Sequence, residues 1–392
     1  MATNSLRAEV AIVGIADTAV GVLPGSDANV LCREALRAAV ADAGLQLRDV
    51  DGLVTFNPVS APFTYHAEAM AEMLGLQPRY CMTVATGGAT TFTAVVQAAA
   101  MIAAGHCHTV VVAMADCLRS GLTREQAVAM QASTGHPQFE RLWGAPVAAH
   151  YALVARAYMA AYGVTAEQLA AVAVSARQHA ARHPGAQMRQ PLTVAEVLAS
   201  RMIADPLHAL DCSLVSDGGA ALVLTRADRA RDLRQPPVWL LGAGEGHRYE
   251  HLSAAQSLTT TAAVESGQRA CAMAGVRPAD MDVVGLYDCF TPCVLLQLED
   301  LGFCAKGAAG AFVASGAIAP HGALPVNTHG GLLAHAHCGH PASLFTLTEA
   351  VTQLRGTATG RQIKDAELAL VHAMGGVLSS HATLILGRER TA

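Results

Sequence analysis

Three short segments in the second half of the chain carry side chains suited to acid–base chemistry. Tyr287-Asp288-Cys289-Phe290 ends an apolar run, and Asn327-Thr328-His329-Gly330-Gly331 and His335-Ala336-His337-Cys338-Gly339-His340 follow it along the chain. Histidine is the side chain whose unperturbed pKa lies near neutrality, and a tyrosine hydroxyl both donates and accepts hydrogen bonds. We therefore expect an acid–base site built from these segments.

The clustering of histidines also raises the question of a metal site. Four of the 17 histidines fall within twelve residues, 329–340, and a His-x-His pattern on a strand places both rings on one face. No carboxylate lies within that segment, however, and the whole chain is rich in histidine. We expect acid–base use of one histidine and no bound metal.

A second candidate position is Gly87-Gly88-Ala89, which opens an apolar helix expected to reach Gly105. Glycine lets a ligand approach the backbone, and the free N–H groups at a helix start can stabilise an oxyanion. On sequence grounds alone, a tight turn without a ligand is the better explanation of this pair.

The elements that must position these segments alternate between strands and helices in both halves of the chain. Strands are expected at Glu9–Ile15, Leu53–Phe56, His108–Met114, Val238–Gly242, Val283–Tyr287, Leu368–His372 and Thr383–Leu386. Continuous apolar strands between helices predict an α/β fold with buried, mostly parallel sheets covered on both faces. Sites in such folds form beyond the carboxyl ends of strands.

The chain also repeats itself. Gly44, Asp49 and Asp51 have counterparts with the same spacing in Gly275, Asp280 and Asp282. The repeat predicts two related halves, residues 1–228 and 229–392, joined near residues 229–237. Residues 117–207 depart from the repeat and are expected to form a cap over the site, and residues 302–340 form a second, Gly- and His-rich insertion.

Composition narrows the class of protein. Of 392 residues 52% are apolar and 15% charged, with a net charge of −5, which excludes a disordered chain and argues against nucleic-acid binding. The ten cysteines include no Cys-x-x-Cys pair, so neither a structural zinc site nor a disulfide framework is indicated. With no apolar run long enough for a membrane span, we expect a soluble, cytoplasmic protein.

Five motifs spread over nearly the full length carry a resemblance to a known family. They are AEVAIVGIADT at residues 8–18, Ser216-Asp217-Gly218-Gly219-Ala220-Ala221, Tyr287-Asp288-Cys289-Phe290, Gly330-Gly331-Leu332-Leu333, and GGVLSSH at residues 375–381. In these motifs the chain resembles the thiolase superfamily, specifically its sterol-carrier-protein-type thiolases and the lipid-transfer-protein-like steroid side-chain aldolases. The resemblance implies duplicated βαβαβαββ halves in αβαβα layers, with a cap insertion.

The departures from the family pattern bear on the chemistry. Aligned with thiolases, the position of the nucleophilic cysteine falls on Gly88, and no cysteine lies among residues 86–90. The second thiolase cysteine falls near Met374-Gly375-Gly376 and is also missing. Chemistry through an acyl-enzyme needs an activated nucleophile, so the resemblance implies a subgroup without classical thiolase activity.

The resemblance also suggests roles for the remaining residues. His337 occupies the position of a histidine that binds the thioester oxygen, and Tyr287 replaces an Asn or His at the strand end. We predict Tyr287 as the base and His337 as an oxyanion donor, with an exchange of these roles possible. Backbone N–H groups of Gly88, Gly375 and Gly376 would add further donors.

Supporting roles are expected for three more residues. Asp288 is predicted to cap a helix over Phe290–Leu301, and His372, with His381, to orient the Gly375-Gly376 turn. Cys338 follows His337 and is the rival candidate for a displaced nucleophile.

The function that these features indicate is retro-aldol cleavage of a 3-hydroxyacyl-CoA to a ketone or aldehyde and a short acyl-CoA. The alternatives are a thiolase-like acyltransferase using Cys338 and a non-catalytic subunit that binds CoA thioesters. No tightly bound cofactor is expected, because coenzyme A enters as part of the substrate. By resemblance we also expect a homodimer and a small zinc-ribbon/OB-fold partner protein.

Overall fold

The computed structural model describes residues 6–390, which form an α/β structure. The strands are β1 (Val10–Asp17), β2 (Gly52–Thr55), β3 (Tyr80–Thr83), β4 (Thr109–Cys117), β5 (Met202–Ala204), β6 (Leu207–His208), β7 (Asp217–Arg226), β8 (Val238–His247), β9 (Val283–Gly285), β10 (Leu368–Gly375) and β11 (Ser380–Gly387). The α-helices are α1 (Ala28–Asp42), α2 (His66–Leu74), α3 (Thr90–Ala103), α4 (Arg124–Ala132), α5 (Val147–Tyr162), α6 (Ala166–Ala180), α7 (Val194–Ala199), α8 (Ala227–Ala230), α9 (Ala263–Ala274), α10 (Thr291–Asp300), α11 (Ala309–Ala314), α12 (Gly331–Ala334) and α13 (Ser343–Leu354).

Nine of the strands pair into one mixed sheet in the order β3-β2-β4-β7-β1-β8-β11-β10-β9. Three pairings are parallel and five are antiparallel, so the prediction of mostly parallel sheets is wrong. A strand buried on both faces is continuously apolar whichever way its neighbours run. The sequence pattern therefore indicated that the strands are buried but not whether they run parallel or antiparallel.

The strand order repeats with inverted direction about the β1–β8 pairing. In chain order, β1, β2, β4 and β7 of the first half occupy the places that β8, β9, β10 and β11 occupy in the second. The counterpart of β3 is a single bridge between Val326 and Val284. The duplication inferred from sequence is thus visible in the topology.

The repeated aspartates make equivalent contacts in both halves. The Asp51 carboxylate accepts hydrogen bonds from the backbone N–H groups of His108 and Thr109, at 2.9 and 2.8 Å. Asp282 accepts at 2.9 and 3.0 Å from the corresponding N–H groups at the start of β10, those of residues 367 and 368. Each carboxylate thus links the residue just before one strand to the start of the neighbouring strand.

Helices cover the strands in layers. Helix α1 packs on β1, β4 and β7, and α9 packs on β8 and β11. Helices α3 and α13 contact each other and strands of both halves. They form the central layer, and their N-terminal ends define the position of the candidate site.

The segment predicted as a cap contains α4 to α7 and the small β5–β6 hairpin. It returns to the sheet at Asp217, whose buried carboxylate accepts hydrogen bonds from the N–H groups of Leu23, Arg119 and Ser120 at 2.8–2.9 Å. The Asp217 carboxylate therefore ties loops of the first half to the start of β7.

Two further points concern the chain as a whole. Among residues 6–390 no helix is long and apolar enough to cross a membrane. The outer ends of the two predicted halves, residues 1–5 and 391–392, lie outside the described residues.

Replacing Asp217 with alanine should lower the free energy of unfolding by about 3 kcal/mol, because three backbone donors lose a charged acceptor. Denaturant unfolding followed by circular dichroism measures this change. Asp228→Ala is the matched control, since Asp228 is exposed in a surface ion pair with Arg226 and such pairs contribute little. Equal stability of the two variants would contradict the role of Asp217.

Candidate active site

Tyr287 lies just beyond the carboxyl end of β9 and is 7% exposed. Its backbone is clasped by the Gln297 side chain of α10, which accepts from the Tyr287 N–H at 3.0 Å and donates to the Tyr287 carbonyl at 2.8 Å. Beyond the end of β9, the Gln297 amide thus makes the backbone hydrogen bonds that a neighbouring strand would otherwise make. The phenol is held by its backbone in a fixed direction.

His337 lies in the connection between α12 and α13, and the loop before β7 holds it. Its N–H donates to Ser216 Oγ at 3.1 Å, and its carbonyl accepts from the Ser216 N–H at 3.0 Å. Its ring Nδ1 is 3.3 Å from the Leu214 carbonyl and 3.1 Å from Ser213 Oγ. Both the backbone and the ring of His337 are therefore positioned by residues 213–216.

These two side chains meet. Tyr287 Oη lies 3.2 Å from His337 Nε2, with the ring planes at 79°. A carbonyl only accepts, so the Leu214 contact assigns the proton of a neutral imidazole to Nδ1. Nε2 is then an acceptor, and the Tyr287 hydroxyl donates to it.

Burial keeps this pair uncharged. It lowers the pKa of His337 to about 4, and it raises the pKa of Tyr287 well above its usual value of 10, with smaller contributions from Cys289 and Cys338. Removal from water disfavours whichever form is charged. At neutral pH the site holds a phenol and a neutral imidazole, so free phenolate is not the resting state.

The glycines singled out from sequence lie against the same pair. A Cβ on Gly87 would come within 2.6–2.7 Å of the Gly375-Gly376 backbone, so the two turns touch directly. The Ser343 hydroxyl at the start of α13 donates to the Gly88 carbonyl. Among residues 6–390 the N–H groups of Gly88 and Gly376 make no hydrogen bond to a protein acceptor outside helices and strands. They remain available as donors.

Asp288 does not cap the helix predicted over Phe290–Leu301, which is observed as α10 from Thr291. Its carboxylate accepts instead from the N–H groups of Leu332 and Leu333, at 2.7 and 3.3 Å, at the start of α12. The predicted cap is wrong because the Asp288 side chain reaches the N-terminus of a helix that is distant in sequence. Burial raises the pKa of Asp288 to about 6.

His372 pairs with His381 across the β10–β11 hairpin, with His372 Nε2 3.1 Å from His381 Nδ1. His381 Nε2 donates to the Leu378 carbonyl at 3.2 Å, within the turn that contains Gly376. Thr383 Oγ1 lies 2.8 Å from His372 Nδ1. This chain of hydrogen bonds ends in the glycine turn, as expected of residues that orient it.

The cysteines near the site are buried. Cys338 is 0% exposed, and burial raises the pKa of its thiol well above 9. Cys289 and Cys293 lie with their sulfurs 3.7 Å apart inside the core. A protonated, enclosed thiol is a poor nucleophile.

The other histidines of the predicted cluster lie away from the Tyr287 hydroxyl. His329 and His335 contact each other with ring centroids 5.2 Å apart, and His340 packs on Phe56. Of the four, His337 is the one that hydrogen-bonds Tyr287. Within the part of the chain described here, no three His, Cys, Asp or Glu side chains are arranged to hold a metal ion.

Four residues that the sequence did not single out belong to the site. Ser213, Leu214 and Gln297 position the pair, and Tyr151 of α5 donates to the Gly376 carbonyl at 2.9 Å. Of these four residues, Tyr151 is the one that the sequence could have indicated. It is one of seven tyrosines in the chain, and it lies in the segment expected to cover the site.

Comparison with known proteins identifies the family of this chain. Residues 10–228 match the family model of the thiolase N-terminal domain, and residues 244–388 match the thiolase C-terminal domain-like model. The chain belongs to the thiolase superfamily.

Two relatives of this thiolase-superfamily protein are similar over their full length. A steroid side-chain-cleaving aldolase of Thermomonospora curvata is 39% identical, covering 97% of this chain and 98% of the relative. A 17-hydroxy-3-oxo-4-pregnene-20-carboxyl-CoA lyase of Mycobacterium tuberculosis is also 39% identical, covering 97% of this chain and 100% of the relative.

A solved structure, the Ltp2-ChsH2(DUF35) aldolase, superposes on this thiolase-superfamily protein with a TM-score of 0.86 at 38% identity. The match covers 97% of this chain and 98% of the other. The thiolase-like fold expected from the sequence is confirmed.

The His337 ring should remain neutral far below pH 6.5 and gain a proton only near pH 4. Nitrogen-15 shifts of the ring, assigned by their loss in His337→Gln, measure this. Because the unfolded chain binds this proton near pH 6.5, the unfolded state takes up more protons between pH 6.5 and 4. His337 therefore contributes to a loss of stability as pH falls through that interval. A midpoint near 6.5 in the folded protein would contradict the burial argument.

Proposed function

We propose that this protein is a carbon–carbon lyase that cleaves a 3-hydroxyacyl-CoA by a retro-aldol reaction. The products are a ketone or an aldehyde and a shorter acyl-CoA. The observation that carries the proposal is the 3.2 Å contact between the Tyr287 hydroxyl and Nε2 of His337, whose pKa burial lowers to about 4. The cysteines near this pair are buried. The names of the two relatives at 39% identity support the same reaction class.

In the proposed first step the substrate hydroxyl gives its proton to Tyr287 Oη while Tyr287 passes its own proton to His337 Nε2. Passage of the proton to the imidazole avoids a buried phenolate, whose formation the raised pKa of Tyr287 disfavours. Burial also disfavours the imidazolium that forms, and the negative charge that develops on the enolate offsets this cost. The Cα–Cβ bond then breaks, the hydroxyl carbon becomes the carbonyl product, and the electron pair forms the acyl-CoA enolate. Return of the proton to Cα completes the reaction.

This assignment changes the role expected for His337. With Nδ1–H directed at the Leu214 carbonyl, Nε2 accepts and cannot donate to a thioester oxygen. We assign the enolate oxygen instead to the N–H groups of Gly88 and Gly376, which make no other protein hydrogen bond outside helices and strands among residues 6–390. Backbone donors fixed in advance stabilise charge that develops during bond breaking.

The alternatives have less support. An acyltransferase using Cys338 needs a thiolate, and that side chain is fully enclosed with a raised pKa. A non-catalytic subunit has no need for a buried Tyr–His hydrogen bond with both partners fixed by further contacts.

The relatives also guide the choice of substrate and partner. We propose a steroid side-chain CoA thioester as the acyl group and, from the name of the superposed complex, a DUF35-type partner protein. A dimer would form through β3, the edge strand of the first half, where Met82 is 42% exposed.

The function is tested by supplying 3-hydroxyacyl-CoA and, separately, 3-ketoacyl-CoA with free CoA, each with and without a DUF35 protein. We expect cleavage of the hydroxy compound without added CoA, measured by release of the carbonyl product. Thiolysis of the keto compound alone, lost in Cys338→Ala, would favour the acyltransferase instead.

Tyr287→Phe should reduce turnover by about 10²–10⁴-fold, the usual contribution of a proton-transferring group, while CoA thioester binding changes little. Tyr65→Phe is the matched control, because that ring is 71% exposed and its loss of a hydroxyl should leave turnover unchanged. Steady-state kcat and KM separate the two effects. An unaltered rate in Tyr287→Phe would refute the proposed proton path.

A further inference from the structure

The backbone conformation at position 88 does not explain why that residue is a glycine. Gly87 and Gly376 have φ angles of 64° and 60°, in the left-handed region that favours glycine. Gly88 is not among the positive-φ residues, so any L-residue could adopt its backbone conformation. The requirement for a missing side chain must come from the space around it.

That space is filled by the catalytic phenol. A Cβ built on Gly88 would lie 2.4 Å from both Cζ and Oη of Tyr287, and 2.4 Å from the Met374 carbonyl oxygen. Carbon atoms pack at about 3.5–4.0 Å. The hydroxyl of Tyr287 therefore occupies the volume in which a side chain at position 88 would begin.

Neither partner can withdraw freely. The Tyr287 backbone is clasped by Gln297, and its hydroxyl is bonded to His337. The Gly88 carbonyl accepts from Ser343 of α13. Relief of the overlap would break at least one of these contacts.

We propose that Gly88 is a specificity-determining residue, because a side chain at position 88 and the Tyr287 phenol exclude each other. This inference rests on the proposed retro-aldol function. A thiol at the start of α3, able to form an acyl-enzyme, cannot coexist with a phenol bonded to His337. The two chemistries require the same volume, so a single Gly88→Cys substitution removes the lyase chemistry of the phenol without installing the thiolase chemistry of a cysteine.

The steric part is tested without substrate, by a double-mutant cycle on thermal stability. Gly88→Ala should lower the melting temperature by several degrees, and the loss should shrink when Tyr287→Leu removes Cζ and Oη. Some loss should remain, since the Met374 carbonyl also faces the added carbon. Gly185→Ala is the control, because its nearest neighbour is the flexible His183 side chain and its φ is not positive.

The functional part is tested by release of the carbonyl product from a 3-hydroxyacyl-CoA. Gly88→Ala should lower this rate about 100-fold, as expected for displacement of a catalytic group by an ångström, while Gly185→Ala retains it. Gly88→Cys should show neither lyase nor thiolase activity.

Three results would overturn the inference: no stability coupling between positions 88 and 287, an unchanged lyase rate in Gly88→Ala, or thiolysis by Gly88→Cys with Tyr287 in place. If the parent protein lacks lyase activity but the stability coupling is found, the proposed function fails and the exclusion of a side chain by Tyr287 stands.

Discussion

The rest of the site depends on the backbone hydrogen bonds made by the extended segment 213–217. Its N–H groups donate to the carbonyls of Cys289, Leu332 and His337, three separate stretches of the second half. Its last residue, Asp217, is anchored to loops of the first half. Because Tyr287 and His337 belong to two of those stretches, their separation is set by a single backbone segment that bridges the duplicated halves.

Low polarity at the site determines which proton states are used. An exposed Tyr–His pair would exchange protons with water and titrate near ordinary values. Here burial suppresses both the phenolate and the imidazolium. The Leu214 carbonyl, on the far side of the imidazole ring, selects the nitrogen of His337 that accepts from Tyr287.

Much of the fold and the positions of the key residues could be predicted from sequence. The apolar strands followed from local patterns, whereas the convergence of Tyr287, His337 and the two glycine turns followed from the resemblance to the thiolase superfamily. Strand direction did not, because burial on both faces gives the same composition in parallel and antiparallel strands. The short edge strand β3, Tyr80–Thr83, is only partly buried and left no continuous apolar run.

The chemistry of individual side chains was less predictable for a different reason. The hydrogen-bond partner of Asp288 lies more than 40 residues away along the chain. The tautomer of His337 depends on the backbone carbonyl of Leu214, a group that every residue type has. Such contacts depend on tertiary distances and leave no residue-type signature. Sequence therefore located Tyr287 and His337 but not the direction of the hydrogen bond between them.

The duplication has one more consequence, at the hairpin ends of the two halves. In the second half β10 and β11 are joined by the tight turn that carries Gly376. At the equivalent place in the first half, the connection from β4 to β7 has opened to admit about a quarter of the chain, residues 118–216. The inserted stretch contacts that turn, because Tyr151 donates to the Gly376 carbonyl at 2.9 Å. Residues beside the Tyr287–His337 pair can therefore change by insertion or substitution in that stretch while the pairing of the nine-stranded sheet stays intact.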